Sequence, residues 1–372
     1  MPWIPTEPYN ELPNLPPRME IETTRVLKAT IEARAAVAAL DQASQRIPNP
    51  AVLVNAFPLL EAQASSAIEN IVTTADELFR FAETDSAAAS PETKETLRYR
   101  TALFNGFEAM QMRPLSANTA IRICSTIQSR DMSLRNLPGT FIGNTSTREA
   151  VYTPPVGEKL IRDKLSNWEQ FIHNPGGLDP LVVMALAHYQ FEAIHPFADG
   201  NGRTGRILNI LLLINAGILH QPILYLSRYI IDNRGDYYRL LLGVTQSEAW
   251  EDWILFLLEG VRQTSIATVR KIDAIHELQE STRDRIRAVV PGGANADLLA
   301  VLFEQVYCRI STVMARCRVS RPTATNWLNS LVAAGVLDDV KVGRERLFIN
   351  TAFMSLLTSN EGPAPLGVPS QL

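Results

Sequence analysis

Thirteen residues in the middle of the chain carry most of its chemistry: Ile194-His195-Pro196-Phe197-Ala198-Asp199-Gly200-Asn201-Gly202-Arg203-Thr204-Gly205-Arg206. They read as a glycine-rich turn leading into an apolar helix. Amides in such a turn, and at the start of the helix behind it, lack acceptors and form an anion-binding concavity. Glycines at 200 and 202 let the backbone close on the anion without side-chain interference. Arg203 and Arg206 lie one helical turn apart and can place two guanidinium forks on one face, which suits a polyphosphate better than a single carboxylate. Asp199 would repel that anion unless a divalent cation lay between them. Mg²⁺, bound through one or two carboxylates plus phosphate oxygens, is the usual solution. His195, with an ordinary pKa of about 6.5, is placed to act as a general base. The combined reading is transfer from a Mg-nucleotide to a hydroxyl that His195 deprotonates.

Gly200 to Gly205 formally fits G-x-G-x-x-G, but a dinucleotide fold needs a preceding strand and an acid about 20 residues on. Here a helix precedes, and no Asp or Glu occurs between Arg206 and Ile231. A Walker-type phosphate loop would need Gly-Lys-Ser/Thr, which the segment lacks. A purely structural turn around a core histidine is the remaining alternative, and the density of glycine and polar residues weighs against it.

The elements that must position this turn are mostly helical. Residues 1–20, with six prolines in the first seventeen, form an extended, proline-stiffened arm. Helices are expected over Arg25 to Gln45, from Ala51 to Ile71, and from Ser90, where Ser-Pro-Glu supplies an N-cap and a first-position proline. Pro138 to Pro155 reads as a hairpin around Gly143-Asn144. Helix resumes over Glu158 to Ile172, and Asp179-Pro180 opens the next, through His188 to Ile194. Further helices are expected at Arg206–Ala216, Asp236–Thr245, Trp250–Val269 and Arg270–Val290. Val290-Pro-Gly-Gly-Ala-Asn then marks a boundary. Beyond it, two helices, a helix start at Ser320, a glycine stop at Gly335 and two short strands around Gly343 follow the order of a winged helix-turn-helix. The tail after Thr358 is expected to be disordered.

The formal charge is 35 − 39 = −4, which argues against a whole-molecule polyanion binder such as a histone. Cys124, Cys308 and Cys317 are too few and too scattered for a disulfide framework or a Cys-rich zinc site, and buried reduced thiols suit a cytoplasmic protein. The N-terminus has no apolar signal region. The run Ile207 to Leu219, interrupted by Asn209 and Asn215, reads as a buried helix rather than a membrane span. The expectation is a soluble, cytoplasmic protein with no membrane partner.

His195-Pro-Phe-Ala-Asp-Gly-Asn-Gly-Arg-Thr-Gly-Arg206 resembles the Fic family motif, H-x-F-x-D/E-G-N-G-R-x-x-R, at every defined position. The resemblance extends over residues 15–270 and implies a mainly α fold: a Fic-type helical core with a β-hairpin flap. Most members of the family transfer AMP from ATP to a protein hydroxyl. Carried over, His195 deprotonates a Ser, Thr or Tyr hydroxyl of the target, or of the protein itself. Asp199 holds Mg²⁺, and Gly200, Asn201, Gly202 and Arg203 grip the α- and β-phosphates. Arg206 pairs with the γ-phosphate, Phe197 anchors the loop, and Thr204 and Gly205 complete the nucleotide site. Tyr237 resembles part of the adenine pocket, with a core aromatic as the alternative. The hairpin Gly143–Tyr152 resembles the flap that docks the target chain by strand addition. Ser65-Ser-Ala-Ile-Glu69-Asn70 resembles the inhibitory S/T-x-x-x-E-G/N helix. There, Glu69 would occupy the Arg206 fork that the γ-phosphate needs. Removal of AMP from targets, with Glu69 positioning a water, stays open.

The resemblance divides the chain into residues 1–110 (N-terminal helices with Ser65, Glu69 and Asn70), 111–270 (catalytic core), 271–295 (connecting helix and linker), 296–358 (winged helix) and 359–372 (tail). Residues 296–350 hold seven basic and five acidic side chains. Arg309, Arg316, Arg318, Arg321, Thr323, Thr325 and Asn326, with Arg344 and Arg346 on the wing, are placed for groove and phosphate contacts. A DNA-binding regulator with a nucleotide-sensing core is therefore a competing reading. A structural or homodimerising role for this module is the other.

Overall fold

A computed structural model describes residues 3–47, 49, 51–82, 88–144, 149–290, 296–342 and 345–359. Residues 3–19 contain no helix. Leu12 and Leu15 are nevertheless buried, so the arm is a strap held to the body. Leu15 and the Asn167 side chain exchange two hydrogen bonds (2.8 and 3.0 Å), and Gln190 Nε2 donates to Pro13 O. Tyr9 N donates to Thr153 O, Thr153 Oγ1 to Pro5 O, and Val156 N to Asn10 Oδ1.

The helices follow in order. α1 (Thr24–Arg46) is capped by Thr23 and buries Val26, Ala33, Val37 and Leu40 at helical spacing along one face. α2 (Ala51–Ile68) stops three residues short of the expected Ile71, because Asn70 adopts a left-handed conformation (φ 62°) that ends the helix. α2 is long and apolar enough to cross a bilayer, yet 72% of it lies inside the protein. α3 (Ala75–Phe81) was not anticipated, and α4 (Pro91–Met110) starts at the Ser90 cap as expected. α5 (Ala117–Gln128) was also missed, although Ser116 and Thr119 form a capping box.

The hairpin is β1 (Ile142–Asn144) and β2 (Glu149–Tyr152), antiparallel with Gly143 opposite Ala150. A Cβ on Gly143 would lie 2.1 Å from Glu149 O, so glycine is required there. α6 (Glu158–His173), α7 (Pro180–Ile194, capped by Asp179) and α8 (Asn201–Asn215) form the centre. α7 and α8 are buried on nearly every face, which explains their continuous apolar runs. α9 (Leu226–Asp232) was not expected; α10 (Arg234–Ser247) was.

α11 (Trp250–Val289) is one unbroken 40-residue helix, not two helices meeting at 269/270, because nothing in that stretch interrupts the ladder. It lies along α1 and reaches the C-terminal module: α12 (Ala296–Glu304), β3 (Tyr307–Arg309), α13 (Ile310–Cys317), α14 (Arg321–Ala333), β4 (Asp338–Val342), β5 (Glu345–Ile349) and α15 (Thr351–Thr358). β3 and α15 add to the expected elements, and the sheet order is β3-β5-β4, all antiparallel. Gly343, Arg344 and the tail from residue 360 lie outside the described residues. The module docks on the N-terminal helices: Asn49 Nδ2 and Asn55 Nδ2 donate to Glu304, and Tyr307 Oη to Asp76. The three cysteines are buried and unpaired with one another.

One buried carboxyl anchors α2. Ser227 N donates to Glu61 Oε2 (3.0 Å), while Ser227 Oγ and Tyr99 Oη donate to Oε1. Burial, opposed by the Ser227 bonds, pushes the Glu61 carboxyl up from 4.5 to about 7. A group that holds its proton more tightly when folded stabilises fully below 4.5, and that share is lost as pH rises to about 7. Glu192, pushed up to about 7 by burial, adds the same sign. Urea unfolding of Glu61→Gln is expected to show a shallower decline across this window, by up to about 1.4 kcal/mol per pH unit. A decline as steep as the parent's removes Glu61 as its source.

Candidate active site at the head of helix α8

α7 ends at His195, which adopts a left-handed backbone (φ 49°, ψ 59°), and Gly200 (φ 81°) turns the chain into α8. The loop between them is held from inside. Phe197 is fully buried and packs against Phe191. Asn201 Oδ1 accepts from Phe197 N and Asn201 Nδ2 donates to Phe197 O, both at 2.8 Å. Asn201, expected among the residues that grip phosphate, uses its side chain as the clamp of the loop, and its backbone amide belongs to the first turn of α8. Thr204 is fully buried, and Gly205 packs against Phe191, His188 and Glu192, so these two support the helix rather than line the cleft. A Cβ on Gly200 would press on Gln128 and Cys124, whose thiol donates to Asp199 O.

The amides of Asn201, Gly202 and Arg203 belong to the first turn of α8, which has no intrahelical acceptors for them and carries the positive end of the helix dipole. A carboxylate already lies across this turn. Glu69 Oε1 accepts from Arg206 Nη2 at 2.7 Å, and a Cβ on Gly202 would sit 2.3 Å from the same oxygen. Ser65 fixes the rest of the fork: its Oγ accepts from Arg206 Nε (2.8 Å) and its carbonyl from Nη2 (2.9 Å). Arg206 is 2% exposed and Glu69 35%. Burial raises the Glu69 carboxyl, but Arg206 more than offsets this and holds it below its usual range. Arg206 stays protonated because Glu69 outweighs the effect of burial. Asn70 Oδ1 accepts from Arg234 Nη1, and its left-handed backbone explains the Gly/Asn preference at that motif position.

Arg203 departs from expectation. Its Nη1 donates to Glu95 Oε1 of α4 at 2.6 Å, so it does not share one face with Arg206 as a second open fork. Its buried Nε has no partner, and neither does His195 Nδ1. Both unpartnered atoms belong to residues of the His195–Arg206 segment, beside the first turn of α8. Asp199 is exposed, with Oδ1 accepting from Gly200 N. Among the described residues no three His, Cys, Asp or Glu side chains cluster to hold a metal. A single carboxylate fits Mg²⁺ only where phosphate oxygens supply most of its ligands.

Tyr237 is a core aromatic, contrary to the adenine-pocket reading. It is 2% exposed, shares a 2.9 Å hydrogen bond with His188 Nε2 and packs against Trp253 and Phe256. The stripe Tyr237, Leu240, Val244 at i, i+3, i+7 is the signal that puts it inside. Its neighbour Tyr238, 41% exposed, instead lines an apolar cavity of about 100 Å³ with Ile142, Val151, Leu241 and Glu192. Sequence reasoning also missed Glu95 and Arg135. Each is a single charged residue distant in the chain, with no motif to single it out.

Burial, and after it the Arg135 charge, push the His195 imidazole down to about 4, against opposing pulls from Glu69 and Asp199. The ring is neutral at pH 7 and able to accept a proton. NMR titration is expected to keep His195 neutral down to about pH 4; an apparent value near 6.5 contradicts the geometry. Asn201→Ala is expected to lower stability by about 1–3 kcal/mol, because the Phe197 amide and carbonyl lose their partner. Equal melting of the two proteins refutes the clamp.

The chain matches the Fic/DOC family N-terminal domain over residues 27–108 and the Fic/DOC family domain over 114–213. Residues 278–353 match the protein adenylyltransferase SoFic-like C-terminal domain. Among curated proteins it is similar to protein adenylyltransferase fic-1 of Caenorhabditis elegans, 33% identical over 89 residues, 23% of this chain and 16% of that protein. Protein adenylyltransferase Fic of Nematostella vectensis is 36% identical over 92 residues, 24% and 20% of the two chains. The chain thus spans a fifth or less of the length of these relatives. In fold it is similar to a Fic family protein from Desulfovibrio desulfuricans (TM-score 0.56, 20% identity, covering 90% of this chain and 98% of that one). It is also similar to Fic-1 from C. elegans (TM-score 0.51, 18% identity, covering 67% and 72%). With three successive domain matches, a helical core of the same fold and the motif seated at the head of α8, the chain belongs to the Fic/DOC family.

Proposed function

We propose that this protein transfers AMP from ATP to a hydroxyl of a target protein, and that Glu69 holds the enzyme off. The observation that carries the reading is an anion already seated in an anion site: the Glu69 carboxylate on Arg206, across the first turn of α8. The same donors suit the β- and γ-phosphates of ATP, and the family's curated members named above are protein adenylyltransferases. A neutral His195 takes the proton of a Ser, Thr or Tyr hydroxyl. The oxygen forms a bond to the α-phosphorus, the bond from that phosphorus to the β-phosphate oxygen breaks, and pyrophosphate leaves. Mg²⁺, held by Asp199 and the phosphates, would supply charge neutralisation. Tyr238 and the cavity beside it suit the adenine. The two-stranded hairpin, with Val151 exposed, offers an edge to the target chain.

While Glu69 stays on Arg206, the γ-phosphate has no fork to pair with and meets a negative charge. ATP then lies in a pose unsuited to in-line attack. The C-terminal module is read as a winged helix that braces the N-terminal helices. Arg316 and Arg346, two of its expected phosphate contacts, are paired with Glu304 and Asp339. A gel shift of the full chain is expected to show no salt-dependent DNA complex; a complex weakening steeply with salt reverses that reading. The buried free thiols support a cytoplasmic location.

Labelled ATP tests the central reading. Glu69→Gly is expected to raise incorporation of AMP into itself or lysate proteins strongly, and His195→Ala in that background to abolish it. Moving a two-state equilibrium from 1:99 to 99:1 takes about 5.5 kcal/mol, so the gain can reach about 10²-fold. Equal labelling by the parent and the Glu69 variant defeats the inhibitory role. No labelling by either, with Mg-ATP bound, defeats the transferase.

A further inference from the structure

Arg135 lies outside the His195–Arg206 segment, in the loop between α5 and β1, yet it bonds to three successive residues where α7 gives way to that segment. Its backbone amide donates to Pro196 O (2.9 Å), its Nε to His195 O (2.6 Å) and its Nη2 to Ile194 O (3.0 Å). Nη2 also donates to Pro155 O, just beyond β2 at the foot of the hairpin. The residue is 7% exposed, and these bonds run to backbone only.

The carbonyls at the end of α7 lack intrahelical donors and carry the negative end of the helix dipole. A planar guanidinium meets several of them at once in fixed geometry, whereas an ammonium is a point charge that does not. His195 also sits in a left-handed backbone conformation that residues with a Cβ seldom adopt, so its surroundings must hold it there. The Arg135 fork is the group that grips the carbonyls on both sides of that residue's φ and ψ.

We propose that Arg135 is a positioning residue for His195, fixing the base and the foot of the target-docking hairpin in one relation through a single side chain. The proposal rests on the AMP-transfer reading for what the base does. The groups facing the imidazole are Arg135 from this loop, Glu69 just past the end of α2, Asp199 from its own segment and the Glu192 backbone from the last turn of α7. Arg135 is the cation among them and disfavours protonation, while the others favour it.

Two substitutions in the Glu69→Gly background separate fork from charge. Arg135→Lys keeps the charge and loses the fork; Arg135→Gln loses both. AMP incorporation from Mg-ATP gives kcat and KM, and helicity with thermal melting checks the fold. NMR titration of His195, one of five histidines in the chain, reads the imidazole whether or not AMP is transferred. Arg135→Lys is expected to lower kcat by about 10²-fold, the cost of a misplacement near 1 Å, with KM for ATP little changed and the His195 titration still low. Arg135→Gln is expected to lower kcat at least as far and to move the titration upward. An unchanged kcat in Arg135→Lys, or an unmoved titration in Arg135→Gln, overturns the proposal. So does a fall in kcat that merely follows loss of helicity in both variants. If the Glu69→Gly parent transfers no AMP, the functional reading fails separately, and the Arg135→Gln titration alone decides the role of Arg135.

Discussion

The contact between Glu69 and Arg206 is the constraint around which this molecule is arranged. A helix N-terminus with free amides and a buried arginine is a strong anion site, and such a site left empty would hold a desolvated cation at a cost. The chain resolves this by supplying its own anion. The two halves of the contact are unequal. Ser65 takes Nε and Nη2 of Arg206 through a hydroxyl and a carbonyl that are fully buried, so the guanidinium keeps its orientation whatever Glu69 does. Glu69, at the frayed end of α2 and partly open to water, is the exchangeable partner. The fork is thus preorganised by Ser65 independently of Glu69.

The rest of the fold keeps that set in place. α7 and α8 are buried on almost every face, so the loop between them hangs from a rigid pair and is clamped within by Asn201 and Phe197. α2, which delivers Ser65 and Glu69, is secured at its middle by Glu61 on Ser227 and Tyr99. At its start, Asn49 and Asn55 reach Glu304 of the C-terminal module. Any displacement of α2 that releases Arg206 has to work against these anchors, whereas a rotation of Glu69 alone does not. The α2 helix is therefore held more firmly than the Glu69 side chain that follows it.

The motif, the caps and the apolar stripes were legible in the sequence because each is a local pattern. Ser90-Pro91 and Asp179-Pro180 start helices where their chemistry says they should, and the turn from His195 to Gly200 closes as its glycine demands. The family resemblance also led to Ser65 and Glu69, which the fold brings onto Arg206 of α8 from more than 130 residues away, and to Asn70, which meets Arg234 of α10. Most of what escaped was short or non-local; α5, twelve residues behind a local capping box, is the exception, a readable pattern that was passed over. α3, α9 and β3 are too brief to show a period, and the two helices expected on either side of residue 270 are one because no breaker separates them. Asn201, Thr204 and Gly205 sit in a ligand-binding motif yet serve the scaffold, since a motif records which residues recur together and not which way each side chain points. Tyr237 and Tyr238 are adjacent, and only the facing of α10 decides which one reaches the cleft. Glu95 and Arg135 act across the chain on groups with which they share no pattern.

The strap formed by residues 3–19 also reaches the hairpin. Its carbonyl at Pro5 and amide at Tyr9 are the partners of Thr153, and its Trp3 and Tyr9 rings rest against Tyr152, the last residue of the hairpin. The second strand of the hairpin is therefore propped by the strap. A disturbance of the strap at Pro5 to Tyr9 would reach β2 directly, while the loop ahead of α8 keeps its own clamp between Asn201 and Phe197.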